Sequence, residues 1–508
     1  MPAFAQSSAG RPDAFPRLDP DPQAIEYYRP GDQGYSWAEL AEISLWASVH
    51  DPKQKTGSTP LAGNASSRLE QILSLAEAVK SSPGYPETGR EKAEFILAYL
   101  HKNILKNYAV NQSRVDVLLA GGRYNCVSSA VLYMVLCKST GLDVSGVMTK
   151  VHAFVSVRIN GEDIDVETTS PYGFDPGNRK EFHDQFGKLT GFAYVPARNY
   201  RDRQTITPIE LVSLILSNRI TELESRNNFT ESIPLAVDRA ALLTGLQFNA
   251  ARDGEEFIST AVEKGAEADS LAAFFENPRQ DLLNRLSNYG AFLLNSGREE
   301  DCLRWVSYAA PGFPAEKLWQ NFILAAVNNR ITKYARANNF TDARSFLDAQ
   351  KAALSPANYA QLDSMLLDTE LLSRANRIRS AEDGDSVITA INEVRSGGKI
   401  DGKRAQELLT FAVQKTAAAI SAAPSRDLSG AVYYIEKAIA RLGSNRELEE
   451  SLRTYKNNLA GDFHNRFAAA WNKRNFDEAV RILDEGLAEF PADRRLLADR
   501  ETVNKNRP

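Results

Sequence analysis

Residues 151–169 read VHAFVSVRINGEDIDVETT. Apolar side chains occupy every second position on both sides of Asn160-Gly161. This dipeptide favours the tight turn of a β-hairpin. We therefore predict an antiparallel hairpin with strands over Val151–Ile159 and Asp163–Thr168. A hairpin at this point places a β-sheet in the first half of the chain.

The predicted hairpin brings a histidine and two carboxylates to one face of that sheet. The side chains at positions 151, 153, 155, 157 and 159 are all apolar, so His152 points to the opposite face. A two-residue turn pairs His152 with Thr169, which makes Glu167 its diagonal neighbour and leaves Asp165 one step further away. We predict that Glu167 orients the imidazole of His152, with Asp165 as the alternative carboxylate.

A cysteine precedes the hairpin at the start of an apolar helix. The segment Gly121-Gly122-Arg123-Tyr124-Asn125-Cys126 leads into an apolar run that ends at Gly141. The partial positive charge of a helix N-terminus favours thiolate over thiol, so Cys126 is a candidate nucleophile. Its other possible role is that of a buried core residue, which is the role predicted for Cys137 in the middle of the same helix.

Together these residues have the order of roles that acyl transfer by a thiol requires. Cys126 would attack an amide carbonyl, His152 would take and return the proton, and Glu167 would fix the imidazole. Backbone N–H groups at the start of the Cys126 helix are expected to hold the oxyanion, with Tyr124 or Asn125 nearby.

The same residues resemble the transglutaminase-like core, whose superfamily shares the papain-like fold. The resemblance lies in Tyr124-Asn125-Cys126, in His152–Val157 and in Ile164–Thr169. It implies an α+β papain-like domain, with Cys126 as nucleophile, His152 as base and Glu167 as acid. Three residues depart from the family pattern of Trp, Asp and Pro: they are Phe154, Glu167 and Thr168.

The second half of the chain is a succession of helical patterns that contains a repeat. Asn-Arg-Ile or Asn-Arg-Phe is followed, after seven residues, by Asn-Phe, then Thr or Asp, an acid and a small residue. Clear copies begin at Asn218, Asn329 and Asn465, and weaker ones at Asn376 and Asn288. Each copy predicts a helical hairpin whose second helix is capped by the Thr or Asp.

The copy over Phe463–Leu497 resembles the tetratricopeptide repeat, with Ala479 at the small-residue position and Pro491 at its end. We therefore predict an irregular all-α helical-repeat domain over residues 201–508, following the α+β domain over residues 34–200. Such arrays present an extended surface, so we expect this domain to hold a protein partner or a protein substrate.

Composition excludes several functional classes. The 508 residues carry 60 Lys and Arg against 65 Asp and Glu, a net charge of −5 that argues against nucleic acid as the main partner. No apolar run approaches the roughly 20 residues of a transmembrane helix. Three cysteines cannot form a disulfide framework. Since His-x-x-x-His, Cys-x-x-Cys and glycine-rich phosphate motifs are missing from the sequence, we predict no metal and no cofactor.

The first 33 residues are rich in proline and are predicted to form a disordered tail. Within this tail, Ala3-Phe4-Ala5-Gln6 has the form of a signal peptidase site, although no basic and apolar regions precede it. We therefore expect export to the periplasm rather than a cytoplasmic location.

The leading functional prediction is a transglutaminase-like enzyme that transfers acyl groups through a cysteine thioester. Peptide hydrolysis, deamidation and transamidation all fit this chemistry, since either water or an amine can resolve the thioester. The alternative is a catalytically inactive scaffold in which the transglutaminase-like core serves as a protein-interaction module.

Overall fold

The structure is a computed structural model that describes residues 15–30, 34–53, 64–149, 152–177, 182, 187–188, 203–245, 278–313, 315–422 and 426–506. The chain divides into two compact units, Met1–Ile323 and Leu324–Pro508. Helices dominate both units, and the described strands all belong to the first unit.

The first unit combines helices with two small sheets. Its helices are α1 (Pro22–Tyr27), α2 (Trp37–Val49), α3 (Asn64–Lys80), α4 (Gly89–Asn103), α5 (Val115–Gly121), α6 (Cys126–Ser139), α7 (Pro208–Ser225), α8 (Phe229–Thr244), α9 (Pro278–Asn295) and α10 (Glu299–Ala309). Its strands are β1 (Asn107–Tyr108), β2 (Arg123–Tyr124), β3 (Asp143–Met148), β4 (Ala153–Ile159), β5 (Glu162–Val166) and β6 (Gln204–Ile206).

The core of the first unit is built around α6. Every residue from Val127 to Cys137 is buried, as expected for a helix that is apolar on all sides. The helix packs against α2, α4 and α7 and against β3 and β4. Because α6 is enclosed in this way, its first residue, Cys126, has a fixed position relative to the sheet.

The larger sheet has the strand order β5-β4-β3-β6, and all of its neighbouring strands are antiparallel. Strands β4 and β5 form the predicted hairpin, and the register that pairs Ser156 with Asp165 is the predicted one. The strands are shorter than predicted, since β4 begins at Ala153 and β5 ends at Val166. His152 and Glu167 therefore lie just beyond the ladder, and Val151 lies outside the described residues.

Residues 15–30 are packed in the structure and differ from the predicted disordered tail; residues 1–14 lie outside the described part of the chain. Phe15 and Leu18 are buried. The guanidinium of Arg17 contacts the buried carboxylate of Asp238 at 2.6 Å. Local composition did not predict this packing because the partner of Arg17 is 221 residues away in the sequence.

The first unit also extends past the predicted domain boundary at residues 200 and 201. Helix α7, which was assigned to the repeat domain, packs against α2 and α6. The guanidinium of Arg219 donates hydrogen bonds to the carbonyl oxygens of Ala47 and His50 at 2.6 and 2.7 Å. The change from strands to helices after Pro208 therefore marks a change of secondary structure and not a change of compact unit.

The second unit is helical throughout its described residues. The unit boundary falls within α11 (Glu316–Arg336). The helices that follow are α12 (Phe340–Ala349), α13 (Pro356–Asn376), α14 (Ala381–Ser396), α15 (Gly402–Ala422), α16 (Leu428–Leu442), α17 (Arg446–Asn472), α18 (Phe476–Glu489) and α19 (Arg494–Asn506).

The repeated sequence pattern corresponds to helical hairpins, as predicted. Its three clear copies span the pairs α7–α8, α11–α12 and α17–α18. The predicted caps were wrong by two positions, because the asparagine before phenylalanine is the N-cap residue and phenylalanine is the first helical residue. The residue before each cap has a left-handed backbone, with φ between 57° and 62°: Asn227, Asn338 and Arg474.

The small residue of each clear copy lies in the packed interface of its helical hairpin, since it is fully buried: Ser232, Ala343 and Ala479. A small side chain at this position permits close approach of the two helices. The structure therefore agrees with a helical-repeat region.

Candidate active site

Cys126 is the first residue of α6, and the sequence before it builds that helix N-terminus. Gly122 ends α5 with a left-handed backbone (φ 72°), and a Cβ atom there would lie 2.6 Å from the carbonyl oxygen of Ile104. Asn125 then caps α6, since its Oδ1 accepts hydrogen bonds from the N–H groups of Val127 and Ser128 at 3.0 and 3.1 Å. As the first residue of the helix, Cys126 has an N–H with no intrahelical acceptor, and among the described residues no other acceptor contacts it.

Cys126 is partly exposed, whereas the other two cysteines are buried. Burial raises the pKa of the Cys137 thiol well above its ordinary value. Burial and the nearby Glu299 raise the pKa of the Cys302 thiol to about 12. The accessible thiol of the chain is therefore the one at the helix N-terminus.

His152 and Glu167 form a buried pair at the end of the β4–β5 hairpin. The Nε2 atom of His152 lies 2.6 Å from Oε2 of Glu167, and the two residues are 8% and 1% exposed. Glu167 directly follows Val166, whose pairing with Val155 is the last of the ladder, and His152 lies three positions before Val155. The structure thus places Glu167 in the predicted contact with His152.

The thiol of Cys126 lies near the imidazole of His152 and acts on its protonation. Burial on its own lowers the pKa of His152, but the charges of Glu167 and Cys126 outweigh burial and hold this pKa well above its ordinary value. The arrangement therefore favours the protonated imidazolium form of His152.

Asp165, the alternative carboxylate, has a different partner. Its two carboxylate oxygens accept hydrogen bonds from the guanidinium of Arg203, each at 2.5 Å. The same guanidinium lies over the ring of Phe154, 5.4 Å from its centroid. The ring of Phe154 in turn stacks near the imidazole of His152, with centroids 6.2 Å apart. Asp165 thus acts on Arg203, and the carboxylate that contacts His152 is that of Glu167.

The carboxylate of Glu167 is held on both oxygens. While Oε2 faces His152, Oε1 accepts hydrogen bonds from the N–H of Thr169 at 3.1 Å and from its hydroxyl at 2.7 Å. The N–H of Glu167 donates to the carbonyl oxygen of Gly173 at 2.8 Å. A Cβ atom at position 173 would lie 1.8 Å from the carbonyl oxygen of Glu167, so the close approach of these two segments requires glycine.

The two side chains that we expected near the oxyanion are occupied elsewhere. The hydroxyl of Tyr124 donates to the carbonyl oxygen of Thr169 at 3.3 Å. The side-chain amide of Asn125 donates to the carbonyl oxygen of Val110 at 2.9 Å, and its oxygen caps α6. Tyr124 and Asn125 therefore build the site instead of facing its ligand.

Two further residues lie at the site and were not predicted there. Tyr108 pairs with Tyr124 between the parallel strands β1 and β2, and burial, followed by the charges of Cys126 and Glu167, raises the pKa of its hydroxyl. His101, from the last turn of α4, lies 3.0 Å from the carbonyl oxygen of Thr168. A two-residue strand and a lone histidine in a helix have no distinctive sequence pattern, which is why neither residue was found.

Among the described residues, no group of three or more His, Cys, Asp or Glu side chains is arranged to hold a metal ion. No helix in the described part of the chain is both long enough and apolar enough to cross a membrane.

No protein-family model matches the chain, and no curated protein is significantly similar to it.

Proposed function

We propose that this chain is a cysteine-dependent acyl-transfer enzyme with a transglutaminase-like site in a papain-like domain. The observation that carries the proposal is the buried His152–Glu167 contact of 2.6 Å beside Cys126, whose thiol lies at a helix N-terminus and acts on the pKa of His152. A nucleophile, a base and an orienting group in contact are the parts that thiol catalysis needs.

In this proposal the thiolate of Cys126 attacks the carbonyl carbon of a peptide or side-chain amide. The carbonyl π electrons move to oxygen, and the C–N bond breaks when the tetrahedral intermediate collapses. His152 gives its proton to the leaving amine, and a thioester remains on Cys126. Water or a second amine then attacks the thioester, His152 takes the proton of that nucleophile, and the thiolate is released.

Two hydrogen-bond donors are assigned to the oxyanion of the tetrahedral intermediate. The first is the N–H of Cys126, which the Asn125 cap does not use and which has no acceptor in the described part of the chain. The second is the hydroxyl of Tyr108, whose raised pKa keeps it protonated next to Cys126. Fixed donors of this kind stabilise the charge that develops in the transition state.

The helical hairpins of the second unit serve as a docking surface for a protein partner or substrate in this proposal, as is usual for helical repeats. Photocrosslinking in cells from positions 433 and 365 tests this role, because Tyr433 is 66% and Met365 38% exposed. A reproducible crosslinked protein supports docking, whereas crosslinks from neither position contradict it.

The catalytic proposal is tested with p-nitrophenyl acetate as a small acyl donor. We expect a burst of p-nitrophenol equal to one acetyl group per chain, with the acetyl group found on Cys126 by peptide mass spectrometry. The burst should be lost in Cys126→Ala and strongly slowed in His152→Ala, while the matched control Cys302→Ala should behave like the wild type.

Acceleration of steady-state turnover by methylamine would indicate that an amine resolves the thioester. Equal rates in the wild type and in His152→Ala would refute the enzyme proposal and favour the inactive scaffold.

A further inference from the structure

His101 is a partly buried histidine that the proposed catalytic steps do not use. Its Nε2 atom lies 3.0 Å from the carbonyl oxygen of Thr168. Because a carbonyl oxygen can accept a hydrogen bond but cannot donate one, the contact requires the Nε2–H tautomer of His101. The imidazole also meets the ring of Tyr124 edge to face, with centroids 6.2 Å apart.

The atoms held by His101 belong to a short segment, Thr168–Thr169, that directly follows Glu167. Two other elements hold the same segment. From α6, the hydroxyl of Ser129 lies 2.8 Å from the hydroxyl of Thr168. From β2, the hydroxyl of Tyr124 donates to the carbonyl oxygen of Thr169. The Thr168–Thr169 segment is thus fixed from three directions, by α4, α6 and β2.

The position of this segment determines the position of the Glu167 carboxylate. Thr169 donates hydrogen bonds to Oε1 from its N–H and from its hydroxyl. The other oxygen, Oε2, is then directed at Nε2 of His152. A shift of Thr168–Thr169 moves both donors on Oε1 and turns Oε2 away from the imidazole.

A neutral donor suits this place better than a cation. Burial lowers the pKa of His101 to about 4, although the Thr168 carbonyl and the Glu167 carboxylate oppose the change. The ionisable groups that face His101 from the neighbouring elements are Tyr124 and Glu167. A neutral His101 holds the backbone without competing with His152 for the negative charge of Glu167.

We propose that His101 is a positioning residue: its hydrogen bond to Thr168 holds the Thr168–Thr169 segment, and through that segment it sets the orientation of Glu167 toward His152. This role rests on the proposed function, because it acts on the carboxylate of the proposed catalytic chain. Cys126 is affected through His152, and His101 touches none of the reacting atoms.

The test measures the alkylation of Cys126 by iodoacetamide as a function of pH, in the full-length chain. His101→Leu removes the donor, and we expect alkylation at about pH 6 to fall by about fivefold, which is the factor that corresponds to one lost hydrogen bond. His101→Gln keeps an N–H donor close to the position of Nε2, and we expect it to restore the wild-type profile. Tyr124→Phe retains the ring and removes one hydrogen bond on Thr169, so we expect a change in the same direction.

A wild-type profile in both His101→Leu and Tyr124→Phe overturns this inference. The same holds if His101→Gln and His101→Leu shift the profile equally, because the donor then has no part in the effect. The proposed function fails in a different way, namely when the wild-type chain itself gives the profile of His152→Ala.

Discussion

The partly buried His101 leads to a quantitative prediction about stability. Its pKa is lowered by burial to about 4 in the folded chain, whereas an unperturbed histidine has a pKa of about 6.5. Between these two values the unfolded chain binds a proton that the folded chain does not bind. The unfolded state is therefore favoured as the pH falls from about 6.5 to about 4, and the folded chain loses stability over that interval.

The size of the effect follows from the difference between the two pKa values. A difference of about 2.5 units at 1.36 kcal/mol per unit gives about 3 kcal/mol over the full interval, and about 2 kcal/mol of this is lost between pH 8 and pH 5. His101→Gln has no group that titrates in this range. We expect the free energy of unfolding of the wild type to fall by about 2 kcal/mol more than that of His101→Gln over the same pH change.

Urea unfolding followed by tryptophan fluorescence measures this difference. In a Trp471→Phe background the remaining tryptophans belong to the first unit, which contains His101: they are Trp37, Trp46, Trp305 and Trp319. Equal losses of stability in the two chains would refute the argument, since His101 would then be protonated as easily in the folded state as in the unfolded state.

Three further predictions, which use four substitutions, have definite expected outcomes. Asp238→Asn leaves the buried Arg17 without its charged partner, so urea unfolding should show a loss of about 3–5 kcal/mol; a loss below about 1 kcal/mol would contradict the buried ion pair. Glu167→Gln should slow alkylation of Cys126 at neutral pH by about tenfold or more, which corresponds to the loss of a charge-assisted hydrogen bond. Asp165→Asn should leave the alkylation rate unchanged. Slower alkylation in Asp165→Asn and an unchanged rate in Glu167→Gln would show that the wrong carboxylate was assigned. Tyr108→Phe should slow acylation by p-nitrophenyl acetate by about a hundredfold while leaving alkylation unchanged; an unchanged acylation rate excludes its hydroxyl from the oxyanion site.

The features that were predictable from sequence depend on contacts between near neighbours. The Asn160-Gly161 turn determines the register of β4 and β5, and this register places Glu167 next to His152. The Asn-Phe corners likewise mark helical hairpins because a left-handed residue, a cap and an apolar residue follow one another directly.

The features that sequence analysis missed depend on distant partners. Arg17 packs because of Asp238, 221 residues away, and His101 reaches Thr168 across 67 residues. Asp165 lies in β5 and Glu167 directly follows that strand, but the approach of Arg203, which directly precedes β6, determines the partner of Asp165. Local patterns contain no information about such pairings, since they arise when elements far apart in the chain pack together.

The central claim is that Cys126 and His152 form an activated pair. The most direct test is the rate of iodoacetamide alkylation of Cys126 against pH, in the wild type and in His152→Ala, with the buried Cys302 as an internal control. The account predicts alkylation of the wild type well below the free-thiol pKa of about 8.5, and loss of this reactivity in His152→Ala. A midpoint near about 8.5 in both chains, or no alkylation of the wild type, would contradict it.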